Sequence, residues 1–354
     1  MGNNIKLEHV EFGSFYEKSD LVISDSPWIN SDKTIFTSSG RDALFAIIKT
    51  VAKDLYATNK LTVWLPSYYC HPITEALAQF YRVRIYQSTP YTPSKIDYPF
   101  TSSDILVLVE FFGAPSLTSF SGSPIVLLDK THNPLSEQSY RYDIDYSFGS
   151  LRKILPVADG GFIVNHNTTA QLVEELVVTD EHAKLFRDVK RAMKLKKDYL
   201  EVKRFYKNDF LELFQASESA FGNVVSPSRA LTPIDELIYV DIDFYLSRRR
   251  HNSQLLKAYI TARRTKMHII ESDIFFVIQF ESEVIREKTK RALILNDIYP
   301  AVLWPADERF MTVDDLKFSR TTLVMPTDFR YDEPCFELLT QRVNKIMEEI
   351  ENDD

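Results

Sequence analysis

The chain has 354 residues, 44% of them hydrophobic and 26% charged, with a formal net charge of −8. This is the composition of an ordinary globular protein with room for roughly two domains, and the negative balance excludes duplex nucleic acid as a natural partner. Two cysteines, Cys70 and Cys335, make neither a disulfide framework nor a metal pair. With no basic-then-apolar leader and no apolar run long enough for a bilayer, the expectation is a cytoplasmic chain without a membrane partner or a metal.

Residues 1 to 29 are mixed and give no clear element. From Phe36 to Ile48 a Ser/Gly turn opens an amphipathic helix. The unpaired N–H groups and positive dipole end of such a helix suit an anion, so Ser39, Gly40 and Arg41 are candidates to cradle a phosphate; plain N-capping by Ser39 is the alternative. Residues 61 to 66 read as a buried strand. The turn Ser67-Tyr68-Tyr69-Cys70-His71 precedes a helix over 72 to 80, and its rings and thiol suit either a flat heterocycle or neighbouring loops. Residues 84 to 86 continue as a strand.

The apolar runs at 104 to 112 and 124 to 129 read as strands covered on both faces. The second ends on Asp129, followed by Lys130-Thr131-His132. Ligands of open α/β sheets gather at the carboxyl ends of strands, which places Asp129 and His132 in a functional location; a capping Asp and a backbone-satisfied His are the competing reading. Next comes Asp145-Tyr-Ser-Phe-Gly-Ser-Leu-Arg-Lys153, closed by Asp159-Gly160-Gly161 and the apolar run 162 to 164. Ser147, Gly149 and Ser150 leave room and hydroxyl donors for an anion. A lysine held in a partly desolvated pocket beside them becomes a nucleophilic amine; otherwise Arg152 and Lys153 are solvated loop charges.

Alternating strands and helices up to residue 164 predict a mainly parallel, twisted sheet. Residues 170 to 178 and 181 to 206 read as helices, and 208 to 235 as an irregular passage. The basic clusters at 190 to 197 and 248 to 250 read as solvated faces. A second α/β unit follows, with a helix over 241 to 264, a strand at 274 to 280, a helix over 283 to 297, strands at 301 to 304 and 321 to 326, a loop holding Arg330, and a closing helix over 336 to 349. The domain expectation is a large unit at 30–235 and a small one at 236–354, with the N-terminal segment 1–29 joining the small one.

Taken in order, Ser39-Gly-Arg-Asp-Ala-Leu44, the turn from Pro66 to Cys70, Leu128-Asp-Lys-Thr-His132, and the serine turn with Lys153 before Gly160-Gly161 resemble the DegT/DnrJ/StrS-type sugar aminotransferases, a family of fold-type I pyridoxal-phosphate (PLP) enzymes. The resemblance covers the chain from about Phe36 to the last helix. It implies a mainly parallel sheet sandwiched by helices with a smaller C-terminal α/β domain, pyridoxal 5'-phosphate as cofactor, and a homodimer. It also implies that Lys153 carries the cofactor as an aldimine and shuttles protons, and that Asp129 pairs with the pyridine nitrogen. Gly40, Arg41 and Ser150 would hold the phosphate, with Ser147 the alternative hydroxyl; Tyr69 or Cys70 would stack on the ring, and His132 would sit near the ring hydroxyl, where relatives usually carry glutamine. The implied activity moves an amino group from an amino acid such as glutamate to a keto acceptor, by family a nucleotide-linked keto sugar, with Arg330 as a candidate carboxylate clamp. Other PLP chemistry, or a non-catalytic regulatory or assembly protein on the same fold, are the alternatives. The departures are Ser-Phe-Gly-Ser-Leu-Arg in place of Ser-Phe-His before the lysine, Asp159 in place of Glu before the glycine pair, and no clean counterpart of the loop that sends an asparagine across the dimer; Asn223 and Arg249 are the candidate substitutes.

Overall fold

A computed structural model of the chain describes residues 10–54, 61–115, 118–137, 139–166, 176–202, 206–223, 226–260 and 266–352. The helix expected over 170 to 178 falls largely outside them. The chain divides into two compact units, one of residues 16–242 and one that combines 1–15 with 243–354.

In chain order the elements begin with a two-residue strand β1 (Phe12–Gly13), β2 (Thr34–Thr37), helix α1 (Gly40–Asp54), β3 (Thr62–Pro66), α2 (His71–Ala78) and β4 (Arg82–Tyr86). They continue with β5 (Ser94–Phe100), β6 (Asp104–Val109), β7 (Thr118–Gly122), β8 (Ile125–Asp129), β9 (Tyr146–Ser150), β10 (Gly161–Asn165), α3 (Asp180–Val202), α4 (Lys207–Asn223) and α5 (Ile234–Tyr239). All of these except β1 belong to the 16–242 unit.

That unit is built on a seven-stranded sheet of order β2-β10-β9-β8-β6-β3-β4. Every pairing in it is parallel except those of β10, which runs antiparallel to both neighbours. All six residues of β6 and all five of β3 are buried, as a strand covered on both faces requires. The path leaves β3 for β4 in one direction and for β6, β8 and β9 in the other. The chain order therefore reverses between β3 and β6, the position at which doubly wound sheets open a crevice at their carboxyl edge. The residues after β3, β6 and β8 at that edge are Ser67 to Cys70, Glu110 and Lys130 to His132.

The sequence reading missed two features. The passage expected to be irregular from 208 contains α4, whose Phe210, Phe214, Ser217 and Phe221 are buried at helical spacing. Strands β5 and β7 form a separate two-stranded parallel pair, with Ile96 and Phe100 turned into an aromatic cluster with Trp64, Tyr86 and Phe120. The basic clusters are not simple solvated faces either. Lys196 is 1% exposed and ion-paired with Glu17 at 3.7 Å, and Arg249 is buried with its guanidinium 5.1 Å from the Phe275 ring centre.

The second unit pairs β1 in parallel with β13 (Ile298–Tyr299) and holds an antiparallel sheet of β11 (Met267–Ile270), β12 (Phe276–Phe280) and β14 (Thr322–Met325). Helices α6 (Ile242–Tyr259, shared at its first residue with the other unit), α7 (Glu283–Leu295), α8 (Val313–Thr321) and α9 (Glu333–Asn352) complete it. Phe12, Phe276, Ile278, Leu323, Phe336, Leu339 and Val343 share its core. The strand expected at 301 to 304 is reduced to a single bridge from Ala301 to Val324.

Candidate active site

Asp129 closes β8 at the carboxyl edge of the large sheet and is 6% exposed. Both of its oxygens are engaged: the Thr131 N–H donates to Oδ1 at 2.9 Å and the Tyr69 hydroxyl donates to Oδ2 at 3.0 Å. Burial pushes the Asp129 carboxyl above the usual range, and the bonds from Thr131 and Tyr69 pull against that push. Each oxygen accepts one protein hydrogen bond, and a carboxylate has about four acceptor sites. The carboxylate therefore retains capacity for a further donor.

Tyr68, Tyr69 and Cys70 are separated by their surroundings. Tyr68 is 0% exposed, edge-on to Phe111 with ring centres 5.7 Å apart. Tyr69 is buried with its hydroxyl on Asp129. Cys70, at the entry to α2, is partly exposed. Burial pushes its thiol up, the charges of Lys153 and Arg41 pull it down, and Asp129 pushes it up again. The charges of Lys153, Arg41 and Asp129 thus all act on Cys70, although the four residues come from the ends of four different strands, β9, β2, β8 and β3.

Arg41 stands in the first turn of α1, where Gly40 permits a close approach: a Cβ on Gly40 would lie 3.0 Å from Ser150 N and 3.1 Å from Gly149 C. The Arg41 Nη1 donates to the carbonyl of Gly222 in α4, and its Nε is buried without a partner. Ser150 receives the Thr131 hydroxyl as acceptor for its own N–H at 3.1 Å, a bond that leaves the Ser150 hydroxyl out. Ser147 does not join this group. Side chains alternate along β9, so it lies on the opposite face from Ser150, and its hydroxyl pairs with His166 Nε2 at 2.8 Å. Ser39 is occupied as a cap, donating to Asp42 Oδ2 at 2.7 Å and accepting from Asp42 N at 3.1 Å. His132 is buried against Phe112, with rings stacked 5.7 Å apart and its Nδ1 accepting the Phe112 N–H at 2.9 Å.

Lys153 ends a 3-10 turn after β9 (Leu151–Lys153). Its side chain is exposed in this chain, so the expected desolvated pocket is not formed by these residues alone. Its neighbour Arg152 is ion-paired with Glu218 of α4, and the Arg152 guanidinium lies 4.2 Å from the Phe221 ring centre. Burial pushes the Glu218 carboxyl up, but the charges of Arg152 and Lys153 and the bond from Arg152 outweigh it and hold the carboxyl below the usual range. The C-terminal turn of α4 therefore adds Glu218, Phe221 and the Gly222 carbonyl to the rim. The sequence reading missed this contribution with the helix itself; the spacing of Phe210, Phe214 and Phe221 was the available signal.

In the sequence Asp159 stands out only as a departure from the family pattern. It is 1% exposed and accepts from Leu231 N at 2.6 Å, Thr232 N at 2.9 Å and the Thr232 hydroxyl at 2.6 Å. The turn it anchors returns the Gly160 N–H to Ser38 O at 2.8 Å, while Leu151 N donates to Gly160 O at 3.0 Å. This one turn ties the start of α1, which carries Arg41, to the start of the segment that carries Lys153.

Arg330 lies in the second unit and does not offer a free guanidinium. It makes paired bonds to Asp328 at 2.7 and 2.8 Å and donates to the carbonyls of Phe15 and Gly13 at 3.1 Å. Burial pushes Asp328 up, but the Arg330 charge outweighs this and holds it below the usual range. The expected carboxylate clamp is instead a buried ion pair that fastens the chain near β1. The Asn223 side chain lies outside the described residues, and Arg249 belongs to the second unit. Among the described residues no cluster of His, Cys, Asp and Glu could hold a metal ion, and no helix is long and apolar enough to cross a membrane.

No family model and no curated protein matches the sequence. Solved structures do match in fold. PseC of Helicobacter pylori, an aminotransferase involved in the biosynthesis of pseudoaminic acid, is 12% identical; the match covers 96% of this chain and 100% of that one, with a TM-score of 0.57. Spr1654 of Streptococcus pneumoniae, described as a sugar aminotransferase and solved in a PMP form, is 12% identical over 90% of this chain and 88% of that one, with a TM-score of 0.57. The sugar aminotransferase CalS13 of Micromonospora echinospora is 14% identical over 88% and 87%, with a TM-score of 0.54. The chain has the fold-type I PLP-transferase fold, and the order of motifs that raised the resemblance in the sequence lies on that fold.

Proposed function

We propose that the chain is a PLP-dependent aminotransferase of the sugar-modifying kind. The observation that carries this reading is the buried Asp129 at the carboxyl edge of a fold-type I sheet, bonded to Tyr69, with Arg41 after β2 and Lys153 after β9 delivered to the same edge. The residues present fit the cofactor. Arg41 Nε is a buried donor without a partner, beside a helix N-terminus whose first glycine allows a close backbone approach. Asp129 is a buried carboxylate with acceptor capacity left over for a ring N–H.

When bound, the cofactor supplies a carbon that takes up an amine and a conjugated ring that stores an electron pair. Arg41, the first N–H groups of α1 and the Ser150 hydroxyl would hold the phosphate. Asp129 would hold a protonated ring nitrogen, a contact that burial would strengthen by excluding water. The Lys153 amine would serve as the nucleophile that retains the cofactor and as the base that moves a proton. An amino acid such as glutamate is the donor, and a nucleotide-linked keto sugar is the acceptor class, on the strength of the sugar aminotransferases that share the fold. Exposure of Lys153 on the single chain supports a homodimer in which a second copy covers the site.

The test is the visible spectrum of the purified protein with added cofactor, before and after glutamate, with borohydride reduction and peptide mapping. A cofactor band trapped on Lys153 that bleaches with glutamate is the expected result. A trapped band that no amino acid bleaches refutes the transaminase reading, and absence of any band refutes the cofactor.

A further inference from the structure

Tyr69 occupies the stretch in which the sequence resemblance calls for a ring stacked on the cofactor, yet its hydroxyl is committed elsewhere, to Asp129 Oδ2 at 3.0 Å. The tyrosine is 1% exposed and the aspartate 6%. Thr131 holds the other carboxylate oxygen from the strand's own continuation, at 2.9 Å. The carboxylate is thereby fixed from two sides by donors that come from β3 and β8, strands that are not neighbours in the sheet.

We propose that Tyr69 is a positioning residue for the cofactor's pyridine nitrogen, orienting Asp129 and keeping it ionised. This rests on the pyridoxal reading above. The physical argument is a balance at one buried carboxylate. Burial favours the neutral acid, which has lost the charge that would hold a protonated ring nitrogen. Thr131, through its side chain and its N–H, and the Tyr69 hydroxyl pull the balance back toward the ionised form, and Tyr69→Phe deletes the donor that comes from another strand while leaving the backbone intact. Tyr69 is suited to the task because burial first, and then the Asp129 charge and bond, push its own ionisation well above the ordinary tyrosine range. It remains a donor throughout the working pH range. The other ionisable groups around Asp129 do not replace it. Cys70 sits on the open side, where Lys153 and Arg41 also act on it. Glu110, beyond β6, has its Oε1 taken by Ser136 and Tyr140, and its charge opposes that of Asp129. The His132 Nδ1 is taken by the Phe112 N–H.

The experiment compares wild-type protein with Tyr69→Phe, which keeps the ring and deletes the donor. Three quantities are read: thermal midpoint, affinity of cofactor-free protein for PLP by absorbance titration, and the pH midpoint of the bound cofactor's visible band. A hydrogen bond to a charged group is worth about tenfold or more in an equilibrium constant. The expected result is a folded Y69F protein with roughly tenfold weaker cofactor binding and a pH midpoint raised by about one unit. The midpoint rises because a protonated ring nitrogen opposes a second positive charge on the same conjugated group, and Y69F loses that opposition. Unchanged affinity and midpoint in a folded Y69F protein overturn the inference and leave the pyridoxal reading standing; no uptake of PLP by the wild type overturns both. If Y69F does not fold, 3-fluorotyrosine placed at position 69 keeps the shape and strengthens the donor. Its expected effect is a lowered midpoint, and no shift overturns the inference.

Discussion

Asp159 gives the sharpest test of how the site is held together. In Asp159→Ala, the N–H groups of Leu231 and Thr232 lose their acceptor together, while the Thr232 hydroxyl keeps the backbone carbonyl of residue 159 at 3.2 Å. An unsatisfied backbone donor costs roughly 1–3 kcal/mol according to its burial. Leu231 is half-buried and Thr232 buried, so the pair costs about 4 kcal/mol at mid-range. Removing the carboxylate returns part of that, because burial pushes Asp159 above the usual range and its ionised form carries a cost in the fold. A net loss of about 3 kcal/mol lowers the thermal midpoint of a unit this size by about 6–12 °C. Asp159→Asn should lose roughly half as much, since either orientation of the amide turns its NH2 group toward one of the two backbone donors. Differential scanning calorimetry of the three proteins reads these shifts. Because the same turn ties Ser38 to Gly160 and Gly160 to Leu151, the alanine variant should also bind PLP more weakly. If Asp159→Ala melts within about 2 °C of wild type, less than the effect expected of a single orphaned donor, then the turn does not anchor the site as argued.

Three further outcomes are expected. Gly161→Ala should fail to accumulate as folded protein in a solubility and circular-dichroism assay, because its Cβ would stand 2.4 Å from the Ser39 carbonyl oxygen and 2.6 Å from the Thr37 hydroxyl, both fixed within the fold. Maleimide should label Cys70 slowly, since burial pushes its thiol up; saturating PLP should slow labelling at least tenfold, and mass spectrometry showing equal rates would place the cofactor elsewhere. Glu110→Gln should flatten the pH dependence of stability. Burial pushes the Glu110 carboxyl above its unfolded value despite bonds from Tyr140 and Ser136, so in the wild type stability is lost as pH rises from the ordinary glutamate range through the raised one. The glutamine variant cannot charge, and urea melts across that window should show the two proteins diverging as pH rises.

The strands of the large sheet were legible because burial on both faces leaves an unbroken apolar run, as in residues 104 to 109, and two-sided burial is a local demand on composition. The order of chemistry-bearing residues was legible for a related reason. In a parallel sheet every strand delivers its next few residues to the same edge, so Asp129 at the end of β8, Cys70 after β3 and Lys153 after β9 can be read as neighbours once the strands are known. Helix α4 and the β5–β7 pair escaped because their inward residues are interleaved with Ser, Glu, Lys and Asp, and because Pro99 sits inside β5. Partner choice was the least legible property. That Ser147 faces His166 while Ser150 faces the α1 turn follows from alternation along β9, but only after the strand's limits are fixed. That Tyr69 reaches Asp129, 60 positions away, depends on the register in which β6 joins β3 to β8. The lysine, the acid and the arginine are chemistry that a sequence can display; the bonds that tune them are made across strands. On the reading proposed above, Tyr69 and Asp159 carry no reaction and act through what they hold: Tyr69 through its bond to Asp129, and Asp159 through the turn that ties the start of α1 to the segment carrying Lys153.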